Sequence, residues 1–325
     1  MMKKVFLFSL VLIIAGALVT YFTGDSGQIH MRRYAEAAEF EREDGSTSQL
    51  PFSLRLREFR VEYYPDSEMP MDYVSEITLS PSGEQRTISM NHILKKNGYR
   101  FFQADYDQDL QGSILYVSHD PWGTGIVYAG YLLLLLSMLF INTKIFLSSK
   151  LRLSKWLKIA LWVSGALLLT GVFFLIGRKL LSGHLMPVLR SPLLWIHVSS
   201  MIISYSIFAL VTICSICGLS SRSLRIKLMK FNRAALCPAV FLMTFGIIIG
   251  SVWANISWGN YWSWDPKENW ALITALIYSA GLYGERLKIF RRPVFFHIFC
   301  IIAFLSVLIT YFGVNYIFGG MHSYA

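Results

Sequence analysis

One short stretch of the sequence concentrates aromatic side chains around a polar turn. Residues 258–270 read WGNYWSWDPKENW, and the side chains of interest there are Trp258, Tyr261, Trp262, Trp264, Asp265 and Trp270. Tryptophan and tyrosine favour the headgroup layer of a membrane, where a helix end carries roughly one to three of them. Five aromatic residues in one short stretch exceed that expectation. The stretch therefore indicates a flat apolar surface suited to a large planar ligand with an acidic edge, such as a porphyrin.

Two histidines are placed to bind the iron of such a ligand. Haem iron takes axial ligands, most often a histidine nitrogen. His197 lies about one and a half helical turns inside a long apolar stretch, and His322 follows the last such stretch. A lone histidine near a helix end is usually a satisfied polar residue. From the residues alone, iron ligation by the pair and a structural role for each remain open alternatives.

Long stretches without charge predict the membrane helices that would carry these residues. The chain has 325 residues, of which 54% are hydrophobic and 15% are charged, whereas soluble domains carry about 25% charged residues. A helix needs about 20 apolar residues to cross the hydrocarbon layer. Seven stretches meet or approach this length: 5–24, 121–143, 159–177, 191–221, 234–264, 269–284 and 293–325. The sequence thus predicts a polytopic α-helical membrane protein with about seven transmembrane helices.

The basic residues predict the orientation of these helices. They cluster near the N-terminus and in the segments 144–158, 222–233 and 285–292, all on one side if seven helices alternate. Short cytoplasmic segments of membrane proteins carry an excess of lysine and arginine. We therefore predict a multi-pass protein of the bacterial cytoplasmic membrane, with a cytoplasmic N-terminus and an extracytoplasmic C-terminus. Topology explains the net charge of +10, so we expect no nucleic-acid partner.

The segment between the first two spans differs in composition from the rest of the chain. Residues 25–120 carry a net charge of −7, and from residue 50 onwards apolar and polar residues alternate with period two, which is typical of half-buried strands. We predict a small extracytoplasmic β-rich domain, sandwich-like, with a charged loop at 36–49. We predict that residues 1–24 form a transmembrane anchor, and the alternative is that they are a cleaved signal peptide. The β-rich domain follows at 25–120 and a helix at 121–147. A membrane domain at 148–325 contains the aromatic stretch at 255–270.

Three segments of the membrane domain resemble a known family. They are SPLLWIHVSSMIISY, WGNYWSWDPKENWALIT and TYFGVNYIFGGMHSYA, in that order along the chain. Together they resemble the haem-handling CcsA/ResC family of cytochrome c biogenesis, to which CcmC is related, across roughly residues 125–325. The aromatic stretch is similar to the tryptophan-rich "WWD" signature of that family.

Three earlier segments resemble the ResB partner of that family. They are PFSLRLREFRVEYYP, NGYRFFQADYD and DPWGTGIVYAGY, within residues 50–135. The whole chain therefore resembles a shortened ResB joined to a CcsA, similar to the fused cytochrome c synthases.

The resemblance implies a function, with several parts left open. It implies that His197 and His322 are axial ligands of the iron of haem b and that the Trp258–Trp270 stretch binds the porphyrin. The chain would then present haem to the C-x-x-C-H sites of apocytochrome c, with or without synthase activity of its own. The alternative is a haem exporter or haem chaperone without synthase activity. Further maturation subunits are possible partners, and membrane lipid is expected. We assign no catalytic residue.

Basic residues in a predicted outer loop have two interpretations. Arg178 and Arg190, with Lys179 and His184 nearby, are suited to pairing with haem propionates, since guanidinium groups bind carboxylates in a bidentate manner. Contact with lipid phosphate is the equally weighted alternative.

The chain departs from the family at an internal position. The family has a pair of histidines inside the membrane, and Tyr283 stands where one of them is expected, in WALITALIYSAGLY. The resemblance implies that the partner histidine belongs to N-terminal ResB spans, which we expect to be truncated in this chain. His297 has a similar depth and is a possible substitute, although a packing role is the favoured interpretation.

Overall fold

Six α-helices and one antiparallel sheet make up the part of the chain that the structure, a computed structural model, describes: residues 2–148, 191–284 and 287–318. The helices, in chain order, are α1 Met2–Thr23, α2 Gly123–Ser148, α3 Pro192–Ser220, α4 Arg222–Trp258, α5 Pro266–Tyr283 and α6 Pro293–Leu308. A short 3₁₀ helix, Lys288–Arg291, precedes α6, and π-helical turns, Ile309–Phe318, follow it.

Five of the described helices are long and apolar enough to cross a membrane: α1, α2, α3, α4, and α6 together with its extension. Helix α5 has 18 residues and begins with Pro266, Lys267 and Glu268, which lower its hydropathy. The predicted span 159–177 lies outside the described residues. The chain is therefore a multi-pass membrane protein, whereas the predicted number of seven spans is not confirmed.

Helix α4 begins earlier than the sequence pattern predicted. We predicted a basic connection at 222–233 and a span at 234–264, but α4 runs without interruption through Arg222–Trp258. Lysine and arginine are good helix formers, so a run of basic residues does not end a helix. In addition, Arg225 donates to two of the last carbonyl oxygens of α3 (3.1 and 3.0 Å), which lack partners within their own helix.

Helices α1 and α2 pack closely through small residues. A Cβ added at Gly16 of α1 would lie 2.7 Å from a methyl carbon of Val127 in α2, and one added at Gly130 would lie 2.7 Å from Ile13. Inside a membrane, helices attract one another mainly through close van der Waals contact, which small residues permit. This helix pair is connected directly to both ends of the sheet segment, because the first strand follows α1 and the last strand precedes α2.

The sheet has eight antiparallel strands in the order β5-β4-β3-β2-β1-β8-β7-β6. In chain order they are β1 Asp25–Arg32, β2 Glu36–Arg42, β3 Thr47–Tyr63, β4 Pro70–Ser80, β5 Glu84–Ser89, β6 Leu94–Lys96, β7 Tyr99–Tyr106 and β8 Gly112–His119. The prediction of a loop at 36–49 was wrong, since this region forms β2 and the start of β3. Phe40 is the only large apolar residue of β2 and is buried, so the period-two pattern there is too weak to recognise.

The sheet curls around one core and does not form the two packed layers of the predicted sandwich. Ser75 in β4 donates to Gln103 in β7 (2.6 Å) and lies 2.7 Å from the hydroxyl of Ser113 in β8. Between β5 and β6, the backbones of Ser89 and His92 close a short turn with hydrogen bonds of 2.9 and 3.0 Å. The enclosed core includes Met31, Leu54, Leu56, Ile77, Ile88, Phe101, Leu115 and Val117.

A second apolar core, separate from that of the sheet, lies among the helices and includes Leu134 and Met138 of α2. Phe208 of α3 stacks on Tyr278 of α5, with ring centroids 3.7 Å apart. Ser204 of α3 donates to a backbone carbonyl of α4 (2.8 Å), as hydroxyl groups commonly do between membrane helices. Asn142 of α2 donates to the carbonyl of Cys237 in α4 (3.1 Å). Helix α4 thus contacts both groups of helices and holds them together.

Candidate functional site

The aromatic stretch is a short connection held at both ends by helix caps. Trp258 is the last residue of α4 and Trp270 lies within α5, so the connection itself is residues 259–265, here called the aromatic loop. Gly259 ends α4 in the left-handed conformation (φ 87°), and its N–H donates to the carbonyl of Asn255 (3.2 Å). At the other end, the buried Asp265 carboxylate accepts from the N–H of Lys267 (2.8 Å). Such caps fix the chain direction at each end of the loop.

Two tryptophans of the aromatic loop lie at its surface. Trp264 is 73% exposed and has a left-handed backbone (φ 58°), and its carbonyl accepts from the side chain of Asn269 (2.8 Å). Trp262 is half-buried, and its ring stands nearly perpendicular to that of Trp264 with centroids 6.2 Å apart. Between them, Ser263 donates to Glu268 through its N–H (2.9 Å) and its hydroxyl (3.2 Å). The first turns of α5 therefore hold the backbone that presents both indoles.

A second pair of tryptophans lies at the end of α4. Trp258 and the buried Trp253 meet edge to face, with ring centroids 4.8 Å apart. The indole N–H of Trp253 has no acceptor among the described residues, which is costly for a buried donor. Sequence reasoning missed Trp253, although it precedes Trp258 by only five positions and continues the same aromatic-rich stretch.

Tyr261 and Trp270 make contacts that support the frame of the loop. The Tyr261 hydroxyl donates to the Thr20 hydroxyl of α1 (3.1 Å), and the Tyr261 carbonyl accepts from Ser251. Burial raises the pKa of Tyr261, so its phenol stays a neutral donor. The Trp270 carbonyl accepts from the hydroxyl of Thr310 (3.2 Å). A ligand-binding role for these two side chains stays a prediction.

His197 lies on α3 with its ring against α4. Its Nδ1 is 2.7 Å from the carbonyl oxygen of Gly246, and a Cβ added at Gly250 would lie 2.5 Å from the same nitrogen. A carbonyl oxygen only accepts hydrogen bonds, so Nδ1 carries the proton and the lone pair of the neutral ring is on Nε2. A histidine in this tautomer can ligate a metal through Nε2, and its hydrogen bond to the carbonyl raises its basicity.

The histidine and the tryptophans are related through α4. Gly246, Gly250 and Trp253 share one face of that helix, because residues four and seven positions apart lie on the same side. Gly259 lies nine residues beyond Gly250, about 13 Å along the axis at 1.5 Å per residue. The imidazole, the packed tryptophan pair and the exposed pair therefore follow one another towards the same end of α4.

Tyr283, at the position where the family has a histidine inside the membrane, and His297, at a similar depth, both form hydrogen bonds between helices. The Tyr283 hydroxyl donates to the side-chain oxygen of Asn142 in α2 (2.7 Å). His297 is completely buried, and its Nε2 lies 3.0 Å from the carbonyl oxygen of Arg225 in α4. Both arrangements join neighbouring helices, which supports the packing role for His297.

Three predicted site residues lie outside the described residues: His322, Arg178 and Arg190. Lys179 and His184 of the same predicted outer loop are outside them as well. The described part of the chain thus contains one of the two predicted iron ligands, His197, and all of the aromatic stretch.

Comparison with known proteins gives two family matches. A family described as cytochrome c assembly protein matches residues 126–322, and a ResB-like family matches residues 3–115. The first match covers more than half of the chain and includes His197, the aromatic loop and His322. The second covers α1 and most of the sheet.

Individual relatives agree with these matches. Protein NrfI of Wolinella succinogenes is 35% identical over 153 residues, which cover 44% of this chain and 17% of that protein. Cytochrome c biogenesis protein CcsA of Porphyra purpurea is 52% identical over 85 residues, 26% of each chain. CcsA of Chlamydomonas reinhardtii is 39% identical over 153 residues, 43% of this chain and 42% of that protein. The matched part spans less than half the length of each of these relatives.

Proposed function

Since the chain belongs to the cytochrome c assembly protein family, we propose that it acts in cytochrome c biogenesis of the system II type by binding haem b and presenting it to apocytochrome c. Haem is here a substrate that the protein holds. The observation that carries the proposal is the hydrogen bond from His197 to the Gly246 carbonyl. It orients the imidazole and puts the lone pair on Nε2, as an axial ligand of haem iron requires.

The tryptophans fit the macrocycle of the same ligand. Trp262 and Trp264 present indole rings at the surface of the aromatic loop, and aromatic rings bury large apolar areas with defined geometry. The buried N–H of Trp253 is a donor without an acceptor among the described residues. A haem propionate would supply the missing acceptor, so the residues present suit both the apolar and the acidic parts of haem.

The rest of the proposed site rests on the resemblance to the family. His322 would supply the second axial ligand, and Arg178 and Arg190 would pair with the propionates. Asp265, which caps α5, would contribute to the site by holding the aromatic loop in place.

We further propose that the sheet, the aromatic loop and the C-terminus are extracytoplasmic. Lys3 and Lys4 in the first turn of α1 and the basic first turns of α4 would then lie on the cytoplasmic side, in agreement with the charge asymmetry of membrane proteins. A location in the bacterial cytoplasmic membrane, with a cytoplasmic N-terminus, follows from the same argument.

Attachment of haem to apocytochrome c adds the S–H bond of each cysteine in a C-x-x-C-H site across a vinyl group of haem, which consumes no oxidant. Haem supplies the reactive vinyl carbons, and the role of this chain would be to orient haem and control its iron ligation. Membrane lipid and further maturation subunits complete the proposed set of partners.

A second candidate function is a haem chaperone or exporter without synthase activity. The observation that favours it is the bond between Tyr283 and Asn142, which ties up the side chain at the internal position where the family has a histidine. Incubation of the purified protein with haem and a C-x-x-C-H peptide separates the two candidates. Thioether-bound haem on the peptide supports the synthase, whereas bound haem without any thioether product supports the chaperone.

The visible spectrum of the purified protein tests the proposal itself. Protein from a haem-producing host should show a Soret band and the reduced α and β bands of low-spin haem, because two imidazoles give a strong ligand field. A folded protein without these bands would show that the proposed function is wrong.

A further inference from the structure

We infer that Arg100 is a positioning residue that holds the end of α4, and with it the aromatic loop, against the sheet. The inference rests on the proposed function, because it assigns Arg100 to the orientation of the proposed haem-binding surface. Arg100 belongs to β7, in the part of the chain matched by the ResB-like family.

The guanidinium of Arg100 spans two elements. One terminal nitrogen donates to Asn255 of α4, at its carbonyl (3.4 Å) and its side-chain oxygen (3.0 Å). The other donates to the Ser118 hydroxyl of β8 (3.1 Å) and the carbonyl of Gly259 (3.5 Å). A single side chain therefore links the sheet to both the last turn of α4 and the first residue of the aromatic loop.

A cation suits this place for an electrostatic reason. The last carbonyl groups of a helix lack partners within the helix and carry a partial negative charge. Arg100 forms none of the ion pairs of the described residues, whereas Arg32, Arg42 and Arg60 of the same sheet each pair with carboxylates. Burial lowers the pKa of the Arg100 guanidinium, which ordinarily lies so high that the group remains charged. The charge of Arg100 is thus directed at the helix end.

The surface around Arg100 fits the loop in shape as well as charge. A Cβ added at Gly259 would lie 2.9 Å from the Tyr116 ring and 3.0 Å from the Phe102 ring. The guanidinium lies 5.6 Å from the centre of the Phe102 ring. Only glycine combines the left-handed backbone of this residue (φ 87°) with so close an approach of the sheet.

Helix α2 supports the same turn of α4. The side-chain amide of Asn255 donates to the Tyr128 hydroxyl (2.7 Å), so this side chain accepts from Arg100 and donates to α2 at once. One turn earlier, Ser251 lies 3.1 Å from the Tyr131 hydroxyl and donates to the carbonyl of Tyr261. Because Trp258 and Trp262 lie within three residues of Gly259, any movement of this turn would move the tryptophans.

Hydrogen exchange and haem spectra of Arg100→Gln test the inference. Glutamine cannot span both elements, so amide exchange of a peptide covering 259–265 should become about 10-fold faster, the effect expected for loss of a charged hydrogen bond. Haem binding should weaken by about the same factor, with a high-spin component in the spectrum. Arg100→Lys keeps the charge, so its loop exchange rate and its haem affinity should lie between those of wild type and Arg100→Gln. If Arg100→Gln does not fold, Arg100→Lys is measured in its place.

The matched control is Arg60→Gln, which removes an arginine whose side-chain bonds within the described residues are to Glu62 and Glu76 of the sheet. Its exchange in the aromatic loop and its haem spectrum should equal those of wild type. Unchanged loop exchange in both Arg100 variants would overturn the inference even if wild type binds haem normally. Faster loop exchange in Arg100→Gln, together with a wild type that binds no haem, would support the positioning role and refute the proposed function alone.

Discussion

At the scale of residues, the proposed ligation of haem iron depends on how α4 holds the ring of His197. The ring fits because α4 has glycine at two successive turns, with Gly246 providing the carbonyl acceptor and Gly250 leaving space beside Nδ1. A histidine in an apolar helix needs such an acceptor, since an unpaired buried polar group costs roughly 1–3 kcal/mol. The same contact that stabilises the helix pair also selects the tautomer that can bind iron.

Gly250→Ala tests this arrangement without altering the proposed ligand itself. The new methyl group would lie 2.5 Å from Nδ1 of His197, so the ring must move. We expect a loss of about 1–3 kcal/mol of stability, the usual cost of overpacking, and a shift of the haem spectrum towards high spin. Thermal unfolding and the visible spectrum are the measurements.

Gly125→Ala in α2 is the matched control, because a Cβ there meets no atom of another described element within 4 Å. Alanine is favoured over glycine in helices by about 0.5–1 kcal/mol, so this variant should keep or gain stability and retain the wild-type spectrum. Identical spectra for the two variants would contradict the assignment of His197.

At the scale of elements, Asp120 joins the end of α1 to the start of α2. Its carboxylate accepts from the N–H groups of Gly123 (2.8 Å) and Thr124 (2.7 Å) and from the hydroxyl of Thr20 (2.9 Å). Burial raises the pKa of Asp120, but the hydrogen bonds from Thr124 and Thr20 and the backbone outweigh it and lower the pKa below its usual value. Thr20 in turn accepts from Tyr261, so the joint reaches the aromatic loop.

The lowered pKa of Asp120 predicts that the free energy of unfolding depends on pH. Because the folded-state pKa of Asp120 is depressed, its contribution is fully present above the unfolded value of about 3.9 and is lost as pH falls through the folded pKa. Asp120→Asn should therefore lose about 1–2 kcal/mol at pH 7, and its deficit relative to wild type should shrink below about pH 4. Thermal unfolding across pH measures both.

Glu58→Gln, at an exposed position of β3, should show no such deficit. A constant deficit for Asp120→Asn at every pH would contradict this role of Asp120.

How well the sequence predicted each element depended on how strongly it was patterned. Alternation is strong in β3 and β4, which were predicted, and weak in β2, where only Phe40 marks the inner face. The start of α4 was misplaced because basic residues were interpreted as a connection, although Arg225 caps α3 from within the next helix. The curling of the sheet depends on contacts such as Ser75 with Gln103, which no local pattern reveals.

The residues of the candidate site also differ in how clearly the sequence alone reveals them. His197 and the aromatic stretch carry local signals, so the sequence alone was enough to propose them as site residues. Arg100 gave none, because its partners Asn255 and Gly259 lie more than 150 positions away in the chain. Trp253 fell in between, since it lies five positions before the first tryptophan of the aromatic stretch.

At the scale of the whole molecule, the proposal requires the sheet and the aromatic loop to lie on the same, outer side of the membrane. Ser82 in the turn between β4 and β5 and Lys227 near the start of α4 are both exposed and lie on opposite sides in the proposed topology. Each is changed to cysteine in a background without the four native cysteines. An impermeant thiol reagent should label Ser82→Cys in intact cells, and Lys227→Cys only after lysis. The reverse pattern would overturn the proposed orientation.

The proposed function requires His197 to ligate the iron of bound haem, and replacing this ligand with free imidazole tests the requirement. His197→Gly should lose one axial ligand and show a high-spin spectrum, and imidazole added to the medium should restore the low-spin spectrum by entering the vacated position. His322→Gly should behave in the same way if it supplies the other ligand. His297→Gly, which removes a packed histidine bonded to the Arg225 carbonyl, should keep the wild-type spectrum and show no response to imidazole. Low-spin haem in His197→Gly that is indistinguishable from wild type without imidazole would show that His197 does not ligate the iron.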